Sequence, residues 1–378
     1  LWMGTCHSIL RTLGFRLIFA VIYVLLSTSL LTGFLIKKPK SLHRILKITG
    51  NYFLGIFLYT LVIILLADLG RILLKYVFHA SWIHSRTAFT IAGAICALFI
   101  ILLSARGIFH AKYIKTTSYD VTINKTIPER TSMKVVLLAD THFGYNAGVL
   151  HARELVRKIN KQKPDLVCIA GDIFDNEYDA VRDPEKLAKT LRGIKSTYGV
   201  YACWGNHDLN EEILAGFTFK HKGEDFSDIK DPRMKKFLEN SNIHILEDES
   251  VLINDQFYVI GRKDASLTEK IHETRKAPAQ LTEKLDRDKP IIMIDHQPKE
   301  LQELADAGVD LDLCGHTHNG QTFPGNFTIK LMWENPCGLL SKDNMTNITT
   351  SGAGVWGPAM RIGTDSEICS INIQLKKA

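Results

Sequence analysis

The 378-residue chain lacks several features that identify common classes of protein. Its seven cysteines have no paired spacing, which argues against a disulfide framework and a zinc ribbon. With 26 glycines and 11 prolines, it is too poor in both for a collagen-like or low-complexity protein. Residues 1–130 contain only three acidic residues and 15 Lys or Arg, whereas residues 131–378 contain 37 acidic and 31 basic residues. The formal net charge of +6 therefore averages a basic part and an acidic part.

Charged residues are also missing from three long stretches, residues 17–36, 48–67 and 87–105. A helix of about 20 apolar residues spans the hydrocarbon core of a bilayer, so each stretch is long enough to cross it. We therefore predict a membrane region over residues 1–108, with three transmembrane helices at about these positions. The protein would then be a multi-pass integral protein of the cell membrane, with membrane lipids as partners.

The two connections between the predicted spans differ in positive charge. Residues 37–47 contain five Lys or Arg, and residues 68–86 contain three. The positive-inside rule places the richer connection in the cytoplasm, and three spans then place the following domain on the cytoplasmic side as well. The five basic residues could also bind anionic lipid headgroups, an alternative that stays open.

The pattern changes after residues 109–132, which we interpret as a linker and entry strand. Short runs rich in Val, Ile and Leu now alternate with amphipathic stretches, the pattern of a layered α/β domain, here over residues 133–378. The predicted strands cover residues 135–139, 166–170, 200–203, 257–260, 291–294 and 309–313. The predicted helices cover residues 149–159 and 184–194.

Polar residues follow five of these strands directly. The five endings are Asp140-Thr-His142, Gly171-Asp172-Ile-Phe-Asp175, Gly205-Asn206-His207-Asp208, Asp295-His296 and Gly315-His316-Thr-His318. Open α/β sheets place their sites at the carboxyl ends of strands, so these side chains are expected to meet. Carboxylate, amide and imidazole groups suit divalent ions such as Mn, Fe, Zn, Ni or Co. Two such ions about 3.5–4 Å apart could activate a water and neutralise charge on a phosphoryl group.

In this order, D-x-H, G-D-x-x-D, G-N-H-D, a single His and G-H-x-H resemble the motifs of the calcineurin-like metallophosphoesterases. The resemblance extends to Gly320-Gln321 and to residues 351–358 and 361–363, which are similar to a membrane-anchored bacterial branch of YkuE- and YaeI-type phosphoesterases. It implies an αββα four-layer sandwich, here preceded by an all-α transmembrane region, with two divalent metal ions as cofactors.

The resemblance also implies a role for each residue. The first ion would be held by Asp140, His142 and His318, and the second by Asn206, His296 and His316, with Asp172 bridging both. His207 would act beside the substrate as a catalytic group, oriented by Asp208. Asp175 would hold the loop or a ligand histidine.

We therefore expect a membrane-anchored phosphoesterase that hydrolyses a phosphate ester, phosphodiester or pyrophosphate bond in a small or lipid-linked substrate. The alternative is a pyrophosphatase or phosphodiesterase specific for a nucleotide-diphosphate lipid or another envelope precursor. A non-catalytic membrane scaffold or sensor is the rival from another class. Nucleic acid is disfavoured as a partner because residues 131–378 are net negative. Residues 217–226, rich in Phe, could form a lid or a solvated insertion.

Overall fold

The computed structural model describes residues 13–214, 217–219 and 230–376. It divides into two compact units. A helical unit comprises Leu1–Phe109, Leu214–Phe217 and Gly357–Met360, and an α/β unit comprises the rest. Most of the predicted lid or insertion, residues 220–226, lies outside the described residues.

Three long helices dominate the helical unit. They are α1 (Leu13–Leu35), α2 (Lys40–Tyr76) and α3 (Arg86–Ala111), with a 3-10 turn at Ser81–His84. Each is long and apolar enough to cross a membrane. The helix α2 extends well beyond the predicted span at both ends, since good helix formers such as Lys and Leu continue the backbone hydrogen bonding past the apolar stretch. The basic residues Lys40, Arg44 and Lys47, which we assigned to a connection, therefore lie on α2.

The α/β unit contains two six-stranded sheets, as the predicted fold requires. The first sheet has the order β1-β14-β2-β3-β4-β7, and its strands are β1 (Ile114–Ile123), β2 (Ser132–Leu138), β3 (Leu166–Ala170), β4 (Val200–Cys203), β7 (His244–Ile245) and β14 (Ser366–Leu375). The second has the order β12-β13-β11-β10-β9-β8, and its strands are β8 (Glu249–Ile253), β9 (Phe257–Gly261), β10 (Ile291–Ile294), β11 (Leu311–Cys314), β12 (Gly338–Lys342) and β13 (Met345–Thr349).

Shorter elements connect these strands. Two short strands are β5 (Glu212–Leu214) and β6 (Phe217–Phe219). The helices are α4 (Val149–Gln162), α5 (Pro184–Leu191), α6 (Pro232–Asn240), α7 (Ala265–Lys270), α8 (Pro278–Thr282), α9 (Leu301–Asp306) and α10 (Gly325–Thr328). The 3-10 turns cover Tyr178–Ala180, His318–Gly320 and Ile329–Leu331.

Alternation along the central strands builds four layers. Leu137 of β2 and Ile292 of β10 belong to one buried cluster between the sheets. The next residue on β2, Val136, points to the opposite face and packs in a cluster with Leu155 of α4. On β10, Met293 likewise packs on the outer side of the second sheet. Because both faces of these strands are buried, their sequences are continuous apolar runs. The order helix, sheet, sheet, helix is the predicted αββα sandwich.

The strands at one edge of the first sheet, β1 and β14, are harder to predict from the sequence than the central strands. The strand β1, which falls within the predicted linker and entry strand, pairs in parallel with β14 along all ten of its residues. Apolar and polar residues alternate along β14, and it was not predicted. Residues from Ile114 onward are therefore an integral part of the first sheet.

Candidate metal centre

The predicted ligand residues lie at the carboxyl ends of parallel strands from both sheets. In the first sheet, β2, β3 and β4 run parallel, and in the second, β10 and β11 do. Asp140 and His142 follow β2, Asp172 follows β3, Asn206 follows β4, His296 follows β10, and His316 and His318 follow β11. Five of these seven have left-handed backbone: Asp140, His142, Asp172, His316 and His318. Such backbone is uncommon outside glycine and is concentrated at functional sites.

Asp140, His142 and His318 form the first group of potential ligand atoms. All three are buried, and one ligand atom of each lies within 4.8 Å of those of the other two. The Nε2 atoms of His142 and His318 are 3.0 Å apart. Both oxygens of Asp140 accept the backbone N–H of His316, which fixes the carboxylate beside the two rings. This donor set suits one divalent ion.

The second group surrounds the Nε2 atom of His296. The Nδ1–H of this ring donates to the carbonyl of Ala170 at 2.8 Å, so Nε2 is the atom that faces the site. Although burial lowers the pKa of His296, the carboxylate of Asp172 raises it well above the usual value, so positive charge is favoured at Nε2, as a proton or as a metal ion. Around Nε2 lie Oδ1 of Asn206 at 3.1 Å, Oδ2 of Asp172 at 3.2 Å and Nδ1 of His316 at 3.2 Å. Burial lowers the pKa of His316 to about 3, so its ring is neutral near pH 7. Four potential ligand atoms therefore converge, and their chemistry fits one divalent cation.

Asp172 lies between the two groups. Its Oδ1 accepts the backbone N–H of His207 at 2.7 Å, which holds the carboxylate in one orientation. Its Oδ2 lies 3.2 Å from Nε2 of His296 and 3.9 Å from Nε2 of His142. Although burial raises the pKa of Asp172, the neighbouring His296 and His207 hold it well below the usual value, so the side chain is ionised. A single oxygen thus faces both groups.

Two glycines permit this close approach. A Cβ atom at Gly205 would lie 2.2 Å from Oδ1 of Asp172, and one at Gly315 would lie 2.4 Å from the Cβ of Ala139. Neither distance is compatible with a side chain. The glycines of the G-N-H-D and G-H-x-H motifs are therefore required by packing around the carboxylates of Asp172 and Asp140, two predicted ligands.

Asp175 and Asp208 have different surroundings. Oδ1 of Asp175 lies 3.3 Å from Nδ1 of His142, within ion-pair distance of this predicted ligand. The carboxylate of Asp208 accepts the backbone N–H groups of Phe174 and Gly205, both at 2.8 Å. The structure therefore does not place Asp208 against the ring of His207, because both of its oxygens bind the backbone of the surrounding loops.

Asn176 takes the position that we had expected of Asp208. Its side-chain Oδ1 accepts the Nδ1–H of His207, and its backbone N–H donates to the carbonyl of His207 at 3.0 Å. Asn176 is fully buried and has a left-handed backbone, with φ of 60°. It immediately follows Asp175, the last residue of the G-D-x-x-D motif, and this adjacency is the signal in the sequence that could have identified it.

The C-terminal motif supports the first group of ligands. Arg361 is fully buried, and its guanidinium donates to the carbonyls of Ser351 and Gly354 at 2.6 and 2.8 Å. It also donates to the carbonyl of His318 at 3.3 Å. Burial lowers the pKa of Arg361 to about 10, so it remains charged near pH 7. The arginine thus ties the loop at residues 351–354 to a predicted metal ligand.

The fold and this site together define a class of protein. In this class, an αββα sandwich brings carboxylate, amide and imidazole groups together at the carboxyl ends of strands from both sheets. The family model for the calcineurin-like phosphoesterases matches residues 133–320. An uncharacterized metallophosphoesterase of Campylobacter jejuni is 30% identical over 77% of this chain and 71% of its own length. The chain belongs to the calcineurin-like phosphoesterase family, and as a metallophosphoesterase it is a hydrolase of phosphoric ester bonds.

Two further relatives are informative. A transmembrane protein with a metallophosphoesterase domain from Danio rerio is 31% identical over 70% of this chain and 58% of its own length. The UDP-2,3-diacylglucosamine pyrophosphatase LpxG of Chlamydia trachomatis is 24% identical over 68% of this chain and 88% of its own length. This chain therefore resembles both a membrane protein and an enzyme that acts on a nucleotide-linked lipid.

We predict that Asn176 positions His207. Replacing Asn176→Ala should lower kcat by roughly tenfold or more, because the ring loses its fixed orientation. The loss should be larger for a phenyl ester than for a p-nitrophenyl ester, whose leaving group needs little protonation. Asn176→Asp should restore most of the rate, since a carboxylate also accepts the Nδ1–H.

Asn254→Ala is the matched control, because Asn254 also has left-handed backbone, with φ of 49°, in the turn between β8 and β9. Steady-state kinetics with both esters provide the measurement. An equal loss of kcat for the two esters would show that Asn176 has only a structural role.

Proposed function

We propose that the protein is a membrane-anchored phosphoesterase that uses two divalent metal ions. The observation that carries the proposal is the position of Asp172, whose Oδ2 faces His142 in one group of ligands and His296 in the other. A carboxylate shared in this way suits a pair of neighbouring ions. When bound, such ions would activate a water and neutralise charge on the phosphoryl group during its transfer.

The residue roles follow the two groups. One ion would be held by Asp140, His142 and His318, the other by Asn206, His296 and His316, and both by Asp172. Imidazole, amide and carboxylate donors fit Mn, Fe, Zn, Ni or Co. Asp175 would support His142 through the contact at 3.3 Å.

His207 would act on the leaving group. Its Nδ1 is bound to Asn176, so Nε2 is the atom free to exchange a proton with substrate. Burial lowers the pKa of His207 to about 4 in the protein alone. A phosphate beside the ring would raise that pKa, because a negative charge favours the imidazolium, and Nε2–H could then protonate the leaving oxygen. Asp208 would contribute indirectly, by holding the loop that carries His207.

The membrane helices and the relative LpxG favour a lipid-linked substrate. An enzyme tethered to a bilayer by three helices is concentrated where such substrates lie. LpxG is a UDP-2,3-diacylglucosamine pyrophosphatase, which suggests a nucleotide-diphosphate lipid as the second candidate substrate. A scaffold that only binds metal would not need a histidine held by two contacts from Asn176 beside the ligands.

The proposed chemistry is tested by hydrolysis of bis(p-nitrophenyl) phosphate with Mn²⁺, using the full chain in detergent. His207→Ala should keep its metal and lose roughly 10²- to 10⁴-fold in rate on the corresponding phenyl ester, the range for a general acid, and less on the p-nitrophenyl ester, whose leaving group needs little protonation. Asp172→Ala should lose both metal and activity. The control is His244→Ala, because His244 is exposed on β7 at the edge of the first sheet. Equal rates in all four proteins would contradict the proposal.

We also propose that the α/β unit lies on the cytoplasmic side. Lys40, Arg44 and Lys47 lie at the start of α2, and Lys37 and Lys38 precede it, so positive charge is concentrated between α1 and α2. Protease added to right-side-out cells should therefore leave the α/β unit intact, as judged by immunoblotting, and should digest it after lysis. Digestion in intact cells would reverse the orientation.

A further inference from the structure

An exposed apolar surface lies on the segment just after residue 320, where the match to the family model ends. It consists of Phe323, Phe327, Leu331 and Met332, which are 48%, 60%, 88% and 74% exposed, and we call it the apolar patch. Between residues 323 and 333 the sequence has a single charged residue, Lys330. Concentrated apolar exposure of this kind marks a contact surface.

The segment that carries the apolar patch is held in place. A Cβ atom at Gly320 would lie 2.3 Å from the carbonyl oxygen of Gly325, so the two backbones are in close contact. The backbone N–H of Phe323 donates to the carbonyl of Ile362 at 2.8 Å. The rings of Phe323 and Phe327 pack edge to face, with centroids 5.8 Å apart. The patch is therefore presented by a fixed backbone.

The same segment ends at the candidate metal centre. The ring of Trp333 packs against that of His316, with centroids 5.1 Å apart. On Trp333 lies the ammonium group of Lys299, 5.3 Å from the ring centroid. A phosphate at His316 would thus have an aromatic ring and a positive charge beside it. Leu331 and Met332 of the apolar patch directly precede that ring in the sequence.

We propose that the apolar patch enters the interfacial region of a lipid bilayer and that the substrate is an amphiphile anchored there. Its phosphate would lie at His316 and its acyl chains would remain in the bilayer next to the patch. This inference rests on the proposed function for the reaction itself. Apolar side chains accompanied by Trp and Lys are the composition of membrane-surface segments, in which Lys is attracted to anionic headgroups.

The bilayer is favoured over a second protein for two reasons. The chain has three helices able to cross a membrane, so the α/β unit remains tethered near a lipid surface. Four side chains also provide far less than the roughly 800 Å² per partner that a stable protein interface buries. The proposed occupant of the apolar patch is therefore lipid.

The first test measures the depth of the patch. A nitroxide at Met332→Cys is compared with one at Leu252→Cys in the full chain, reconstituted into nanodiscs of phosphatidylcholine and phosphatidylglycerol. Leu252 is a matched control because it is 40% exposed and pairs with Tyr258 near the amino end of β9, opposite the end at which the strands meet the site. Spectra of wild type treated with the same reagent correct for native cysteines.

The label at residue 332 should collide more with oxygen than with a water-soluble nickel chelate, and the label at residue 252 should show the reverse. Collisions typical of water at both positions would overturn the proposal. So would spin–spin coupling between two labels at residue 332, because it would identify the occupant as a second copy of the chain.

The second test separates membrane from soluble substrates. Leu331→Ser with Met332→Ser is assayed on bis(p-nitrophenyl) phosphate and on a diacylglycerol p-nitrophenyl phosphodiester embedded in the nanodiscs. We expect kcat/KM for the soluble ester to be unchanged and that for the lipid ester to fall tenfold or more, with Leu252→Ser as the control. An equal effect on both esters, or none on either, would overturn the inference.

The two tests keep the proposals distinguishable. If the wild-type protein hydrolyses neither ester, the proposed function fails, and the nitroxide measurement still decides whether the patch enters the bilayer. If the soluble ester is cleaved and the label at residue 332 stays in water, the patch proposal fails while the proposed function stands.

Discussion

The convergence of buried electron-rich atoms around Asp172 is the constraint on which the site depends. Among the described residues, the ion-pair contacts of Asp140 and Asp172 within 4 Å are all with histidines. Imidazole nitrogens also face one another across 3.0 and 3.2 Å. Lone pairs so close together require positive charge, which protons or metal ions can supply. The strained backbone of the ligands and the glycines packed on their carboxylates serve this one arrangement.

The two sheets make the convergence possible. Strands β2, β3 and β4 from one sheet and β10 and β11 from the other present their carboxyl ends together. The buried cluster shared by Leu137 and Ile292 joins the sheets and so fixes the distance between their ligands. The α/β unit has more acidic than basic residues, so its own side chains do not favour a phosphate overall. Under the proposed function, bound cations would therefore supply most of the attraction for the substrate phosphate. Lys299 and Lys330 would add to it locally.

The sequence predicted what depends on local pattern. Strands β3, β4 and β10 were predicted with their observed bounds, because strands buried on both faces are continuous apolar runs. The strand β14 escaped prediction because three of its polar residues, Ser366, Glu367 and Ser370, are buried, and Glu367 accepts the backbone N–H of Ser351 at 2.9 Å. The residue that contacts the ring of His207 is set by the conformation of the loops. The carboxylate of Asp208 accepts the backbone N–H of Gly205, and the side chain of Asn176 contacts the ring instead. The spacing of these residues in the sequence does not determine which side chain contacts the ring.

The central claim is that the seven ligands hold two ions with Asp172 between them. Crystals of the full chain with Mn²⁺, measured by anomalous diffraction at the manganese edge, test it most directly. The account predicts two anomalous peaks about 3.5–4 Å apart, one beside His142 and one beside His296, with the Asp172 carboxylate in contact with both. A single peak at saturating Mn²⁺, or two peaks that Asp172 does not touch, would contradict it.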